Sequence, residues 1–128
     1  MRLGADVSGL SDAGADAAHH GLSIVVPLYN EAGGLERLHA RLIALAERLK
    51  RDFGLACEIV YVNDGSADDT LAIAKTLPAT SLDLKIVSLS RNFGKEAALT
   101  AGLDNAKPGG AVLFMDGDGQ HSPDLAAT

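Results

Sequence analysis

Two aspartates one residue apart, Asp116-Gly117-Asp118, follow the apolar run Ala111-Val112-Leu113-Phe114-Met115. Side chains at i and i+2 of an extended chain project to the same side, so a strand here ends in a concentrated negative charge. Like charges that close repel, and a cation between them relieves the repulsion. Mg²⁺ suits the position, since one or two carboxylates commonly hold it while phosphate oxygens fill other places. A calcium loop starting at Asp116 does not fit. Its sixth position is His121 where glycine is required, and its twelfth is Ala127 where glutamate is required.

The elements that must position this pair can be read from the apolar pattern. Leu22 to Leu28 is a β-branched run and the first predicted strand. From Gly34 to Phe53, Leu35, Leu38, Leu42, Leu45 and Leu49 make one stripe of an amphipathic helix, with Gly54 as its stop. Two heptads are short for a coiled-coil seam, so packing on a sheet is the better use of that stripe. Cys57 to Val62 is the second strand; Ser66 and Asp69 signal a helix that runs to about Leu77 and ends at Pro78. Leu84 to Leu89 is the third strand, Gly94 to Ala106 an alanine-rich helix, and Ala111 to Met115 the fourth strand. Strands alternating with helix-length crossovers predict an α/β fold, a mostly parallel Rossmann-like sheet with helices on both faces.

Ligands of open α/β sheets bind at the carboxyl ends of the strands. Each predicted strand exit carries polar chemistry: Tyr29-Asn30-Glu31, Asn63-Asp64-Gly65-Ser66, Arg91-Asn92-Phe93-Gly94-Lys95 and Asp116-Gly117-Asp118. Asn63 and Asp64 can hydrogen-bond a base edge or ribose hydroxyls, and Tyr29 can offer its ring or hydroxyl to a base. Gly94-Lys95 opens a helix, where free N–H groups and a cation suit an anion. Together the four exits describe a nucleotide-diphosphate site. Taken singly each has a plainer use: Asn-Asp-Gly-Ser is good turn chemistry, Arg91 and Lys95 are ordinary surface cations, and His121 is a loop residue. Asp68 and Asp69 read as helix-start residues outside the site, and Ser122 as the cap of a helix beginning at Pro123.

Composition sets limits on partners. A formal charge of −6 and no basic run exclude a general nucleic-acid-binding surface. No stretch is long and apolar enough to span a membrane. Residues 1–20 lack the apolar centre of a signal peptide and read as a disordered leader, His19-His20 included, with one domain over 21–128. The single cysteine, Cys57, opens an apolar run and reads as a buried thiol, which fits a reducing, cytoplasmic setting.

Four segments in order now carry a resemblance: Val26-Pro27-Leu28-Tyr29-Asn30-Glu31, Val62-Asn63-Asp64-Gly65-Ser66-Ala67-Asp68-Asp69-Thr70, Arg91-Asn92-Phe93-Gly94-Lys95-Glu96 and Met115-Asp116-Gly117-Asp118-Gly119-Gln120-His121. Over residues 22–125 the chain resembles the donor half of a family 2 glycosyltransferase of the GT-A fold. The branch it is most similar to is that of dolichol-phosphate mannosyltransferase-like and undecaprenyl-phosphate sugar transferases. The resemblance implies that Pro27, Tyr29, Asn30, Glu31 and Asp64 line the nucleotide pocket, joined by Arg91, Lys95 and Asp116. It implies that Asp116, Asp118 and Gln120 hold Mg²⁺ or Mn²⁺. Members commonly read Asp-Ala-Asp-Leu-Gln there; Gly117 and Gly119 keep the ligands in a more flexible loop.

The implied reaction moves a sugar, with inversion, from a UDP- or GDP-type nucleotide sugar to a polyprenyl phosphate. That acceptor is already anionic, so positioning and stabilisation of the leaving diphosphate carry the catalysis. The acceptor half and the remaining catalytic residues are expected beyond residue 128, with the full enzyme at the cytoplasmic face of a membrane. The chain alone is therefore expected to bind nucleotide without transferring sugar. Two rivals stand beside this reading: a non-catalytic nucleotide-binding module, and a haloacid-dehalogenase-like phosphatase with Asp116 as nucleophile. The latter's strand would come first in the chain, not fourth.

Overall fold

A computed structural model describes residues 21–79 and 82–116. Four strands and three helices alternate: β1 (Leu22–Leu28), α1 (Leu35–Phe53), β2 (Cys57–Asn63), α2 (Thr70–Ala74), β3 (Asp83–Ser88), α3 (Lys95–Asn105) and β4 (Ala111–Phe114). The sheet order is β3-β2-β1-β4 and every pairing is parallel. Successive strands step from β1 to β2 to β3 in one direction, and α3 then carries the chain back across to place β4 on the far side of β1. Crossovers of one hand that reverse direction put their helices on opposite faces. The packing agrees, and the predicted α/β architecture with both faces covered is the observed one.

The alternation of side chains along the strands explains both layers. Ile24, Val26 and Leu28 with Ile59 and Tyr61 face the buried stripe of α1, formed by Leu35, Leu38, Leu42 and Leu45. The intervening Val25, Val60 and Val62 pack instead against Ala98 and Leu99 of α3. Gly54 ends α1 in the left-handed conformation at φ 66°; its N–H bonds the Lys50 carbonyl at 2.9 Å and the Leu55 N–H bonds the Leu49 carbonyl at 3.3 Å.

On the α1 face, His39 bonds the Tyr61 hydroxyl through Nδ1 at 2.8 Å and the Pro78 carbonyl through Nε2 at 2.6 Å. A carbonyl only accepts, so Nε2 carries the proton and Nδ1 accepts from Tyr61. Burial pushes the Tyr61 hydroxyl well above the ordinary tyrosine range and keeps it a donor. Cys57 is buried as expected, and burial raises its thiol.

One element departs from expectation. The second helix ends at Ala74 rather than near Leu77, because Thr76 and Leu77 bond back three residues to Ile73 and Ala74 and tighten the turn before Pro78. Nor does Ser66 cap it; Asp69 stands at the N-cap without a side-chain bond, and the Ser66 hydroxyl serves elsewhere.

The amino end of the sheet holds a buried carboxylate that the sequence pattern did not flag. Glu58, 2% exposed within β2, accepts from Ser23 Oγ at 2.6 Å and from the Lys107 N–H at 2.8 Å, with Lys85 Nζ 3.3 Å from its other oxygen. Burial works against its charge, but these three donors prevail and hold its pKa below the ordinary glutamate value. Lys107 also pairs with Asp83, so the α3–β4 turn is tied to β2 and β3.

Candidate functional site

The site lies at the opposite, carboxyl edge, where the sheet order reverses between β1 and β4 and leaves room for a ligand. A cleft of about 230 Å³ opens there, and all four strand exits contribute to its wall. Pro27 comes from β1, Tyr29 and Glu31 from the loop after it, Asp64 from the exit of β2, Lys95 from the start of α3 after β3, and Asp116 from the exit of β4. Six of the residues singled out in the sequence therefore meet around one cavity.

The β1 exit is fastened to the β2 exit. Asn30 takes the left-handed conformation at φ 54°, which asparagine tolerates better than most residues. Its N–H donates to Ser66 Oγ at 2.9 Å while its Oδ1 accepts from the Ala67 N–H at 2.8 Å. Glu31 donates its N–H to Thr70 Oγ1 at 2.8 Å, and Ala32 donates to Asp68 Oδ2 at 3.2 Å. The Thr70 hydroxyl also bonds Asp68 and, with the backbone N–H groups of Thr70 and Ala32, holds the Asp68 carboxyl below its ordinary value. Asp68 thus does more than start a helix: it joins the two loops that shape the cleft. Its distance from Asn30 along the chain hid this role.

Asp64 makes the next connection. Its side chain is buried, and its two oxygens accept the N–H groups of Phe93 at 2.8 Å and Gly94 at 3.0 Å. A carboxylate from β2 therefore sets the loop that launches α3. Gly65 permits the close approach: its φ is +69°, and a Cβ there would sit 2.3 Å from the Arg91 carbonyl carbon and the Asn92 nitrogen. Asn63 is spent on the scaffold, donating to Ser88 Oγ at 3.2 Å and accepting from the Ser66 N–H at 3.3 Å.

Not every candidate reaches the cavity. Asn30 braces the loop instead of lining the cleft, and Arg91 lays its guanidinium 4.6 Å from the Phe93 ring centroid on the outer surface. Gly94, read with Lys95 as an anion-binding helix start, also lines the cleft, as do Leu28 and Asn92, which had not been singled out for it. Asp118, Gln120, His121 and the helix expected from Pro123, together with the leader and its His19-His20, lie outside the described residues.

Asp116 follows β4, whose pairing continues one step through the Met115 N–H to the Val25 carbonyl at 3.0 Å. Its Oδ1 stands 2.5 Å from Lys95 Nζ at the first residue of α3. The position accepts a cation, and a carboxylate oxygen is the hard donor that Mg²⁺ or Mn²⁺ prefers. Among the described residues no three His, Cys, Asp or Glu side chains gather closely enough to hold a metal. Asp116 is the described member of the expected ligand set.

A parallel sheet wound on both faces, with its cleft at the carboxyl edge of the switch point, is the GT-A glycosyltransferase arrangement. Residues 23–127 match the family described as Glycosyl transferase family 2, and the chain belongs to that family. It is 49% identical over 104 residues to "Uncharacterized glycosyltransferase sll0501" of Synechocystis sp., covering 81% of this chain and 31% of that protein. It is 40% identical over 107 residues to the dodecaprenyl-phosphate galacturonate synthase of Rhizobium johnstonii, covering 80% of this chain and 29% of that one. The chain thus spans under a third of the length of these relatives. Among solved structures, a mannosyltransferase from Pyrobaculum calidifontis in complex with GDP-Man and Mn²⁺ superposes with a TM-score of 0.61 at 22% identity, covering 93% of this chain and 41% of that one. Among the described residues no helix is long and apolar enough to cross a membrane.

Proposed function

We propose that this chain forms the donor-binding part of a glycosyltransferase that takes a sugar from a nucleotide diphosphate and passes it, with inversion, to a polyprenyl phosphate. The observation that carries the reading is the meeting of Lys95 and Asp116 at the cleft formed by all four strand exits. Membership of the glycosyltransferase family favours it over a phosphatase or a binding module without catalysis.

In this reading Tyr29, 47% exposed at the cleft, offers its ring to the base. Asp64, already fixed by two backbone donors, presents its remaining lone pairs to ribose or base. Pro27 and Glu31 form part of the wall, Asn30 supports the donor site by holding their loop, and Lys95 at the α3 N-terminus faces the diphosphate. Arg91 lies at the periphery and reaches the donor only by leaving Phe93. Asp116, with Asp118 and Gln120, would hold Mg²⁺ or Mn²⁺. A divalent ion bound there supplies positive charge to the departing diphosphate. The polyprenyl-phosphate acceptor is suggested by the Rhizobium relative, whose name gives that chemistry, and it would set the full enzyme at the cytoplasmic face of a membrane.

Calorimetric titration with GDP and UDP, with and without Mn²⁺, tests the donor site. We expect at least one nucleotide to bind more tightly with Mn²⁺, and Asp118→Ala to abolish that metal dependence. Equal binding with and without Mn²⁺ in the unaltered chain would remove the metal from the proposal, and no binding of either nucleotide would remove the donor site.

A further inference from the structure

We propose that Lys95 is a resident counter-cation of Asp116 that competes with the divalent metal until a nucleotide diphosphate draws it away, so that metal and nucleotide bind cooperatively. The inference rests on the donor-site reading above. Its basis is the ion pair across the cleft, 2.5 Å from Lys95 Nζ to Asp116 Oδ1. The lysine side chain is 60% exposed and the aspartate 24%. The ammonium can therefore swing through solvent, whereas Asp116 directly follows Met115, which is buried in the core and hydrogen-bonded to β1.

An ammonium and a divalent ion on the same carboxylate repel each other, so each weakens the other's hold. A diphosphate gives the ammonium a second anionic partner, at a helix end whose N–H groups and dipole also favour negative charge. When the diphosphate takes Lys95 off Asp116, the carboxylate becomes a better metal ligand. By linkage the metal then raises diphosphate affinity by the same factor.

Mn²⁺ binding to the 128-residue chain, followed by the electron paramagnetic resonance signal of the free ion, provides the test, run with and without saturating GDP or UDP. Lys95→Met is expected to bind Mn²⁺ about two- to five-fold more tightly than the unaltered chain in the absence of nucleotide, the scale of a partly exposed ion pair. The nucleotide-induced gain in Mn²⁺ affinity should shrink in the same variant. Lys95→Arg keeps a competing cation and should behave like the unaltered chain, and circular dichroism establishes that both variants are folded. Unchanged or weaker Mn²⁺ binding by folded Lys95→Met overturns the inference, as does the absence of Mn²⁺ binding in both proteins. Should neither nucleotide bind, the donor-site reading fails by itself, while the metal-only comparison still decides the competition.

Discussion

Asp64 shows how one side chain serves both scaffold and site. Its place after a strand suggested a ligand for ribose or base, and it does line the cleft. Its two oxygens nevertheless accept the Phe93 and Gly94 N–H groups from inside the protein. Asp64→Ala should therefore lower stability by about 1–3 kcal/mol, the cost of leaving buried donors unpaired. It should also loosen the loop that carries Asn92 and Lys95. Urea denaturation measures the first effect; an unchanged midpoint would mean that these bonds contribute nothing. Asp64 could be singled out by its type and position, but its partners are 29 and 30 residues away and no local pattern encodes them.

At the scale of elements, the site depends on how closely α3 approaches the sheet. Gly102 is the point of contact: a Cβ there would lie 2.2 Å from Val25 Cγ1 and 3.1 Å from Val62 Cγ2. Both valines are fully buried, so making room for the Cβ would disturb the packing around them. Gly102→Ala gains roughly 1 kcal/mol of helix propensity, against about 1–3 kcal/mol of overpacking. We expect a net loss of stability in thermal unfolding, with α3 pushed outward and Lys95 displaced from Asp116. Gly33, where a Cβ would meet nothing within 4 Å, supplies the control, and Gly33→Ala should be close to neutral. A Gly102→Ala variant as stable as that control would contradict the close packing. The helix itself was legible from its alanine-rich run and its Gly-Lys start. The glycine's role was not, since it is set by two valines on other elements.

Among the described residues, the sheet carries polar groups at both ends: the cleft at the carboxyl edge and the Glu58 cluster at the amino edge. Hydrogen bonds and ion pairing hold the Glu58 pKa below its ordinary value of 4.5 when folded. The stabilisation it contributes is therefore fully present above the ordinary carboxylate range, and it is lost as pH falls through the lowered native value. Glu58→Gln should cost roughly 1.5–3 kcal/mol at pH 7, the scale of bonds to a charged group. The variant should also lose less stability than the unaltered chain on acidification. Denaturant midpoints at pH 7 and below pH 4 report both effects, and parallel acid profiles would exclude Glu58 as a source of the pH dependence.

The sequence by itself determined the alternation of strands and helices, because apolar period and glycine stops are local properties of the chain. It also determined which strand ends carry polar chemistry, since each motif follows its strand directly. Only the tertiary structure decided what those motifs do to one another. The sheet order brings Asp116 beside β1, and the return of α3 lays Lys95 against it. Asn30 and Asp68 become loop fasteners, and Arg91 stays on the outer surface against Phe93. Such roles depend on distances between segments far apart in the chain, and those distances come from packing on two faces of a single sheet.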